Sequence, residues 1–579
     1  MRITLLVGYL AAGLLVIAAV TVSPWWWAAA APLALLAAVA TYDLVQRRHS
    51  VLRNYPLLGH LRFALEAVRP ELQQYFIERN FDGRPFDRDT RSIVYERAKG
   101  TDAEEPFGTE RDLYLSGSEY LVPSMAPRPV PTDPPRVRIG GPDCTQPYDM
   151  ALLNVSAMSF GSLSANAVLA LNSGAEKGGF AHDTGEGGLS EYHLRPGGDL
   201  VWEIGTGYFG CRTKDGDFDP AQFAEKAAHE QVKCVSLKLS QGAKPGIGGV
   251  LPGAKVTAEI AKVRGVPEGR TVLSPPYHTA FTTPRELVRF LARLRELAGG
   301  KPVGFKLCVG SRREFLAVCK AMLEEGTTPD FIIVDGAEGG TGAAPLEFAD
   351  NVGMPLTEGL MTVHNALVGA GLRERIRIGA SGKVATGGDL VKRLLQGADY
   401  TNAARAMMFA VGCIQAQRCH TNTCPVGVAT QDPRRARALD VGDKAQRVQR
   451  FQAATVKSAL QIMAAMGVED QAQLRPEMLL QRVDPHTVRS YAQLYAWLGP
   501  GELLDGDAPA DWAADWRAAD PDGFARSRTN GVVSPAGPAS AVSAVSAVSP
   551  VSAVSATRSA RPTSPASPIT PTPEPEDTP

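Results

Sequence analysis

Between Ala151 and about Thr430, short apolar or β-branched runs alternate with helix-length amphipathic stretches, and this alternation restricts the fold more than any other property of the chain. The strand candidates are ALLNVSAMS, GGFAHDTG, KCVSLKLS, RTVLSPP, PVGFKLCVG, PDFIIVDG, RIRIGAS and DYTNAARAMM. Helix patterns such as PRELVRFLARLRELAG, REFLAVCKAMLEEG and GDLVKRLLQGA lie between several of them. Strands joined through helices run parallel, and eight such units predict an α/β fold, a closed (β/α)8 TIM barrel. An open doubly wound sheet is the alternative, since spacing alone does not demonstrate closure. The expected layout is a transmembrane hairpin over 1–42, an extension and connector over 43–145, and the barrel over 146–435. A helical extension over 436–526 and a low-complexity tail over 527–579 complete it.

The amino terminus imposes a second constraint. No charged residue occurs from Ile3 to Tyr42, which is enough chain for two membrane crossings at roughly 20 residues each. The run divides at Ser23-Pro24 into ITLLVGYLAAGLLVIAAVTV and WWWAAAAPLALLAAVATY, with the tryptophans at the turn, where indole rings favour the membrane interface. Arg47, Arg48 and Arg53 follow and point to the cytoplasmic side. The expectation is a membrane-anchored protein with a cytoplasmic catalytic domain. A cleaved signal peptide is the alternative, and the second apolar segment argues against it. At the other end, SAVSAVSAVSPVSAVSA belongs to an Ala/Ser/Val/Pro tail that cannot bury a core, so it is expected to be disordered.

With 60 Lys plus Arg against 61 Asp plus Glu and no long basic run, a nucleic-acid partner is disfavoured. Eight cysteines in 579 residues are too sparse for a disulfide scaffold, which favours a reducing compartment. Three of them, Cys413, Cys419 and Cys424, are separated by five and then four residues, and the last precedes Pro425. Thiolates closely spaced in a loop that ends in Cys-Pro suit iron–sulfur ligation, and three suit a cluster lacking one iron corner. Zinc with a fourth ligand, or structural free thiols, are the other readings of this spacing. Glycine-rich turns follow successive strand candidates: GEGG, QGAKPGIGG, GAEGGTGAAP and ASGK. On the active face of a barrel such turns let backbone amides approach a ligand, and the turns after strands seven and eight are a common phosphate site. Each glycine taken singly is equally a tight turn.

MSFGSLS, TGEGG, KLSQGAKPGIGGVLPGAKV, LSPP, GGTGAAPL and GCIQAQRCHTNTCPVGVATQDP follow one another along the chain. In that order they resemble the FMN-binding synthase domain of the glutamate synthase large subunit, over about residues 90 to 470. The resemblance implies a barrel holding FMN beside a 3Fe-4S cluster ligated by Cys413, Cys419 and Cys424. It places Met158, Ser159 and Lys306 near the flavin ring, where a cation answers the negative charge of reduction. Gly382, Lys383, Ala404 and Arg405 would lie near its phosphate. Ser162, Lys238, Gln241, Lys244 and Arg264 would contact 2-oxoglutarate, with Lys and Arg pairing its carboxylates. Glu186 and Lys244 would be catalytic, Glu186 handling a proton or orienting ammonia. Glu186 and Lys238 read structurally would be an ion pair bracing the barrel mouth.

The implied reaction condenses ammonia with 2-oxoglutarate and reduces the imine to L-glutamate. The family's amidotransferase domain has no counterpart here, so ammonia is expected to be free or delivered by an amidotransferase partner. The family's phosphate segment is replaced by SGKVATG, and its Gly-Thr turn by Ala404-Arg405. No strand-linked dinucleotide fingerprint is visible, so a separate ferredoxin or reductase is expected to supply electrons. The alternatives are another amine or keto acid, as in N-alkyl glutamate synthesis, and a membrane electron-transfer subunit.

Overall fold

The computed structural model describes residues 2–46, 48–101 and 104–524. Eight parallel strands close into a barrel. They are β1 (Leu153–Val155), β2 (His182–Asp183), β3 (Leu200–Ile204), β4 (Val232–Lys238), β5 (Val303–Leu307), β6 (Phe331–Asp335), β7 (Arg377–Ser381) and β8 (Tyr400–Ala403). Each strand pairs with its successor in the chain, and β8 pairs with β1 through Ala403 and Val155. The expected TIM barrel is therefore the fold. The strands are buried along nearly their whole length, because helices cover the outer face and side chains fill the interior.

Local signals start the outer helices. Ser164 Oγ accepts from Ala167 N at 3.2 Å ahead of Ala165–Gly178, and Thr283 Oγ1 accepts from Glu286 N at 3.2 Å ahead of Pro284–Leu297. Each cap satisfies one of the amides that a helix start leaves without a partner.

Two strand assignments differ from the sequence reading. RTVLSPP is not a barrel strand: Val272–Leu273 pairs antiparallel with Val250–Leu251 in a two-stranded ribbon outside the barrel. The place between β2 and β4 belongs to LVWEI, whose five residues are all buried. Glu203 breaks the apolar run there, and its charge is accommodated only because Lys306 on β5 faces it across the barrel interior.

Segments on both sides of the barrel pack onto it. Glu119–Leu121 pairs antiparallel with Leu479–Arg482, which joins the connector to the C-terminal extension. At the N-terminus, α1 (Arg2–Thr21) and α2 (Trp27–Val45) form an antiparallel pair, with Tyr9 Oη and Thr41 Oγ1 2.8 Å apart. The segment Pro24–Val45 is long and apolar enough to cross a membrane, while Leu6–Thr21 is a shorter apolar stretch. α3 (Leu58–Leu72) follows. α4 (Val441–Ala465) lies against Ala165–Gly178 and Arg88–Lys99. Gly174 permits the first contact, since a Cβ there would stand 2.7 Å from the Val448 side chain. The expected disordered tail over 527–579 lies outside the described residues, as does Arg47.

Candidate functional site

The loops that leave the C-terminal ends of the strands converge on one face, where barrel chemistry is normally found. A wider groove near Arg136, Asp199 and Lys301 opens at the opposite rim and contains none of the residues expected to bind substrate, flavin or metal.

The loop after β2 carries Glu186 into contact with the end of β4, and Lys238 Nζ lies 3.1 Å from Glu186 Oε1. Two glycines fence this carboxylate. A Cβ at Gly249 would stand 2.0 Å from Glu186 Oε1, and one at Gly205 would stand 2.5 Å from Oε2. Burial pushes the Glu186 carboxyl up, but Lys238, Arg264 and Lys244 together overcome it and hold it below its ordinary value. Lys244 is itself brought down to about 8 by burial and by the neighbouring Lys238. Arg264 is brought down to about 10 by burial, with Glu186 opposing the shift. Arg264 Nη2 donates to Ser159 Oγ at 3.2 Å and to Phe160 O at 3.3 Å, and its guanidinium lies 5.1 Å from the Phe209 ring centre. Ser159 and Ser162 are linked through their hydroxyls at 3.0 Å. His278, 2.9 Å from Lys238 O through Nε2, is lowered by burial to about 4 and stays neutral.

Glu186, Lys238, Lys244, Arg264, Ser159 and Ser162 thus form one group. Three cations face one carboxylate in it, leaving an excess of two positive charges in a largely buried place.

A second group lies beside the first, because Lys306 on β5 is the register partner of Lys238 on β4. Lys306, Gln241, Gly382, Lys383, Ala404 and Arg405 line a single cavity at the barrel mouth. Gln241 therefore belongs with this cavity, whereas Met158 and Ser159 are not among its lining residues, which on this stretch are Ser156 and Ala157. The Met158–Ser159 peptide packs on Gly185, whose φ of +65° and close approach to Ser159 N both require glycine. Arg405 Nη2 donates to Glu338 O at 2.7 Å, and its guanidinium lies 4.9 Å from the Phe86 ring centre. Burial lowers the ammonium of Lys383, and nearby Arg405 adds to the shift.

Three acidic residues absent from the sequence reading shape this cavity, Asp335 in its lining and Glu203 and Asp183 through Lys306. Lys306 pairs with Glu203, and although burial lowers its pKa, Glu203 and Asp183 together raise it above the ordinary lysine value. Asp183 is pushed up by burial first and by Glu203 second, with Lys306 opposing. Asp335 Oδ2 accepts from Gly242 N at 2.8 Å and so ties the loop after β4 to the end of β6.

After β8 the helix Arg405–Val411 ends at Gly412, and the cysteine loop begins. Gln415, Gln417 and Asn422 all take left-handed backbone, at φ of 56°, 54° and 62°, which curls the loop tightly. Tyr95 Oη donates to Cys413 O at 2.7 Å, and the Gln415 amide both accepts from Phe86 N and donates to Phe86 O. Burial pushes the Cys413 thiol up to about 12, and Cys419 and Cys424 push it in the same direction. The three thiols therefore sense one another, yet among the described residues no three His, Cys, Asp or Glu side chains converge on one metal ion.

Lys255, the last lysine of KLSQGAKPGIGGVLPGAKV, joins the parts. Its buried Nζ donates to Ser162 O at 2.7 Å and to Cys419 O at 3.2 Å, so one ammonium fastens the Ser162 turn to the cysteine loop.

The fold and site define a β/α-barrel enzyme with a cationic cavity and a three-thiol loop side by side on its C-terminal face. A family model described as the conserved region in glutamate synthase matches residues 146–469. The glutamate synthase large subunit-like protein YerD of Bacillus subtilis (strain 168) is 38% identical over 498 residues, which cover 79% of this chain and 94% of that protein. The archaeal glutamate synthase (NADPH) of Methanocaldococcus jannaschii is 34% identical over 322 residues, 55% of this chain and 60% of its own length. Among solved structures, mandelate oxidase with (S)-2-phenylpropionate aligns at a TM-score of 0.39 and 15% identity, over 69% of this chain and 98% of that one. The chain belongs to the glutamate synthase family and is an oxidoreductase of that type.

The buried Lys306 pair yields a direct expectation. Lys306→Met leaves Glu203 buried without its cation and should destabilise the protein by about 3–5 kcal/mol. Adding Glu203→Gln should recover much of that loss, as read from denaturant midpoints of the single and double variants. Equal midpoints for the two variants would contradict the pairing.

Proposed function

We propose that this chain is a membrane-anchored, FMN- and iron–sulfur-dependent enzyme that converts 2-oxoglutarate and ammonia to L-glutamate, drawing electrons from a separate donor. The observation that carries the proposal is the excess of two buried positive charges around Glu186, which matches the two carboxylates of 2-oxoglutarate. An electron relay has no use for such a site. An amine larger than ammonia would meet the same residues, and is the variant reading on the amine side.

The residues present fit both cofactors. Lys306 below the cavity, Lys383 and Arg405 at its rim and the glycines around them suit a flavin with a phosphate tail. The three cysteines of the curled loop offer the thiolates that a 3Fe-4S cluster would take. When bound, the cluster supplies electrons and the flavin supplies hydride.

The protein's own groups do the rest. Arg264 and Lys238 or Lys244 pair with the substrate carboxylates and orient the keto carbon. Glu186, held anionic, is a weak proton acceptor but a strong electrostatic partner for ammonium and for the iminium formed when water leaves. Lys244, near 8, is suited to give a proton to the oxygen that departs as water. The glycine fence around Glu186 keeps that carboxylate in one place.

The apolar side chains of α1 and α2 support the anchor. Leu14, Val20 and Leu35 are 67%, 70% and 66% exposed, an apolar surface that a lipid bilayer would cover.

Anaerobic reduction of the flavin in detergent-solubilised protein, followed by 2-oxoglutarate and ammonium, tests the reaction. Rapid flavin reoxidation that requires both additions, with glutamate formed, is expected. No reoxidation in a flavin-loaded protein would reject ammonia or 2-oxoglutarate as the substrate. The pH profile adds a second check. Lys244 keeps its charge below about 8 and loses it above, so the KM for 2-oxoglutarate should rise as pH passes that value. A KM unchanged from pH 7 to pH 9 would remove Lys244 from substrate binding.

A further inference from the structure

We propose that α3 and the turn after it lie in the plane of the membrane surface, with the lipid headgroup and upper acyl region as their partner, and hold the cysteine loop against the bilayer. The proposal rests on the reading of α1 and α2 as a membrane anchor and extends it to a segment that does not span.

Leu58, Leu61, Leu65, Val68 and Leu72 recur at intervals of three and four, so they share one side of the helix. All five are between 41% and 67% exposed. Phe76 and Ile77, in the π-helical turn Gln73–Ile77, continue the apolar surface. Arg62 and Arg69 lie together along one edge of the stripe, where guanidinium groups would meet lipid phosphates, and Arg62 pairs with Glu66 at 2.8 Å. The barrel does not cover this stripe.

Position decides what does cover it. Asp43, fully buried near the end of α2, accepts from Leu57 N at 3.0 Å and meets His60 Nε2 at 2.9 Å. His60 belongs to the first turn of α3, and Gly59 in the same turn packs on Leu52. One carboxylate therefore fastens the start of α3 to the end of the apolar hairpin, and the exposed stripe begins where the proposed membrane span stops. A surface helix with an apolar stripe edged by arginines, starting at that point, suits the lipid interface.

The far end of the same segment reaches the three-thiol loop. Gln74 Nε2 donates to Ile414 O at 2.8 Å, and Arg418 Nη2 lies 3.4 Å from Glu71 Oε1. With α3 in the interface, the loop carrying Cys413, Cys419 and Cys424 sits about one helix diameter, ~10 Å, from the bilayer surface. A donor held in or on the membrane reaches it there without crossing the barrel.

The test uses the full chain in liposomes of phosphatidylcholine and phosphatidylglycerol, carrying p-benzoylphenylalanine at Leu65, at Leu35 in α2, or at exposed Leu504 in the C-terminal extension. After irradiation, lipid adducts are read by mass spectrometry. Adducts at Leu65 and Leu35 at least about 10-fold above those at Leu504 are expected. Adducts at Leu35 with only the Leu504 level at Leu65 would overturn the in-plane helix and leave the anchor standing. No adduct at Leu35 would overturn the anchor, and this proposal with it. A crosslink from Leu65 to a protein in place of lipid would overturn the proposal in favour of a protein partner.

Discussion

A buried surplus of positive charge governs this site. Moving a cation out of water is costly unless an anion meets it, and Glu186 can meet only one of Lys238, Lys244 and Arg264. Burial lowers Lys244 to about 8, with Lys238 adding to the shift, and Arg264 to about 10, so both keep their charge at neutral pH and the surplus persists. Under the proposed function a dianionic ligand would relieve it, and a preference for a dicarboxylate would then follow from electrostatics already present in the folded chain.

The barrel makes that charge arrangement tolerable. Lys238 and Lys306 come from adjacent strands in register, so the cations occupy fixed positions at the rim. Lys306 is balanced from within the barrel by Glu203, which distinguishes it from the cations around Glu186, where positive charge is in excess. Gly205 and Gly249 hold the Glu186 carboxylate by backbone contact on both sides. Lys255 then couples the Ser162 turn to the cysteine loop through two carbonyls, so the region around Glu186 and the thiols are parts of one hydrogen-bonded structure.

Much of this could be read from residues alone. Seven of the eight strand candidates became barrel strands, because runs such as FIIVD are apolar without interruption and two-sided burial demands that. LVWEI escaped notice because Glu203 makes it resemble a surface segment, and the lysine that neutralises it lies 103 residues further on. RTVLSPP has strand composition but sits in the long excursion after β4, where only two residues pair. The motif residues around Glu186 and Arg405 were recognisable because their glycines and charges stand next to strand ends. Lys255 and Asp335 were not, since their partners are set by how distant loops fold back, and no local pattern encodes that. Gln241, expected among the substrate contacts, lines the cavity with Lys306 because the loop after β4 turns toward β6 at Gly242.

The most direct test of the charge argument is a binding comparison by calorimetry at pH 7, using oxidised, detergent-solubilised protein. 2-Oxoglutarate and 2-oxobutyrate share the keto acid and differ in the second carboxylate, so their affinity ratio isolates the second positive charge. The account predicts that 2-oxoglutarate binds at least about 10- to 100-fold more tightly, the scale of one charged hydrogen-bonded pair. Equal affinities would mean that the surplus charge around Glu186 does not serve a dicarboxylate.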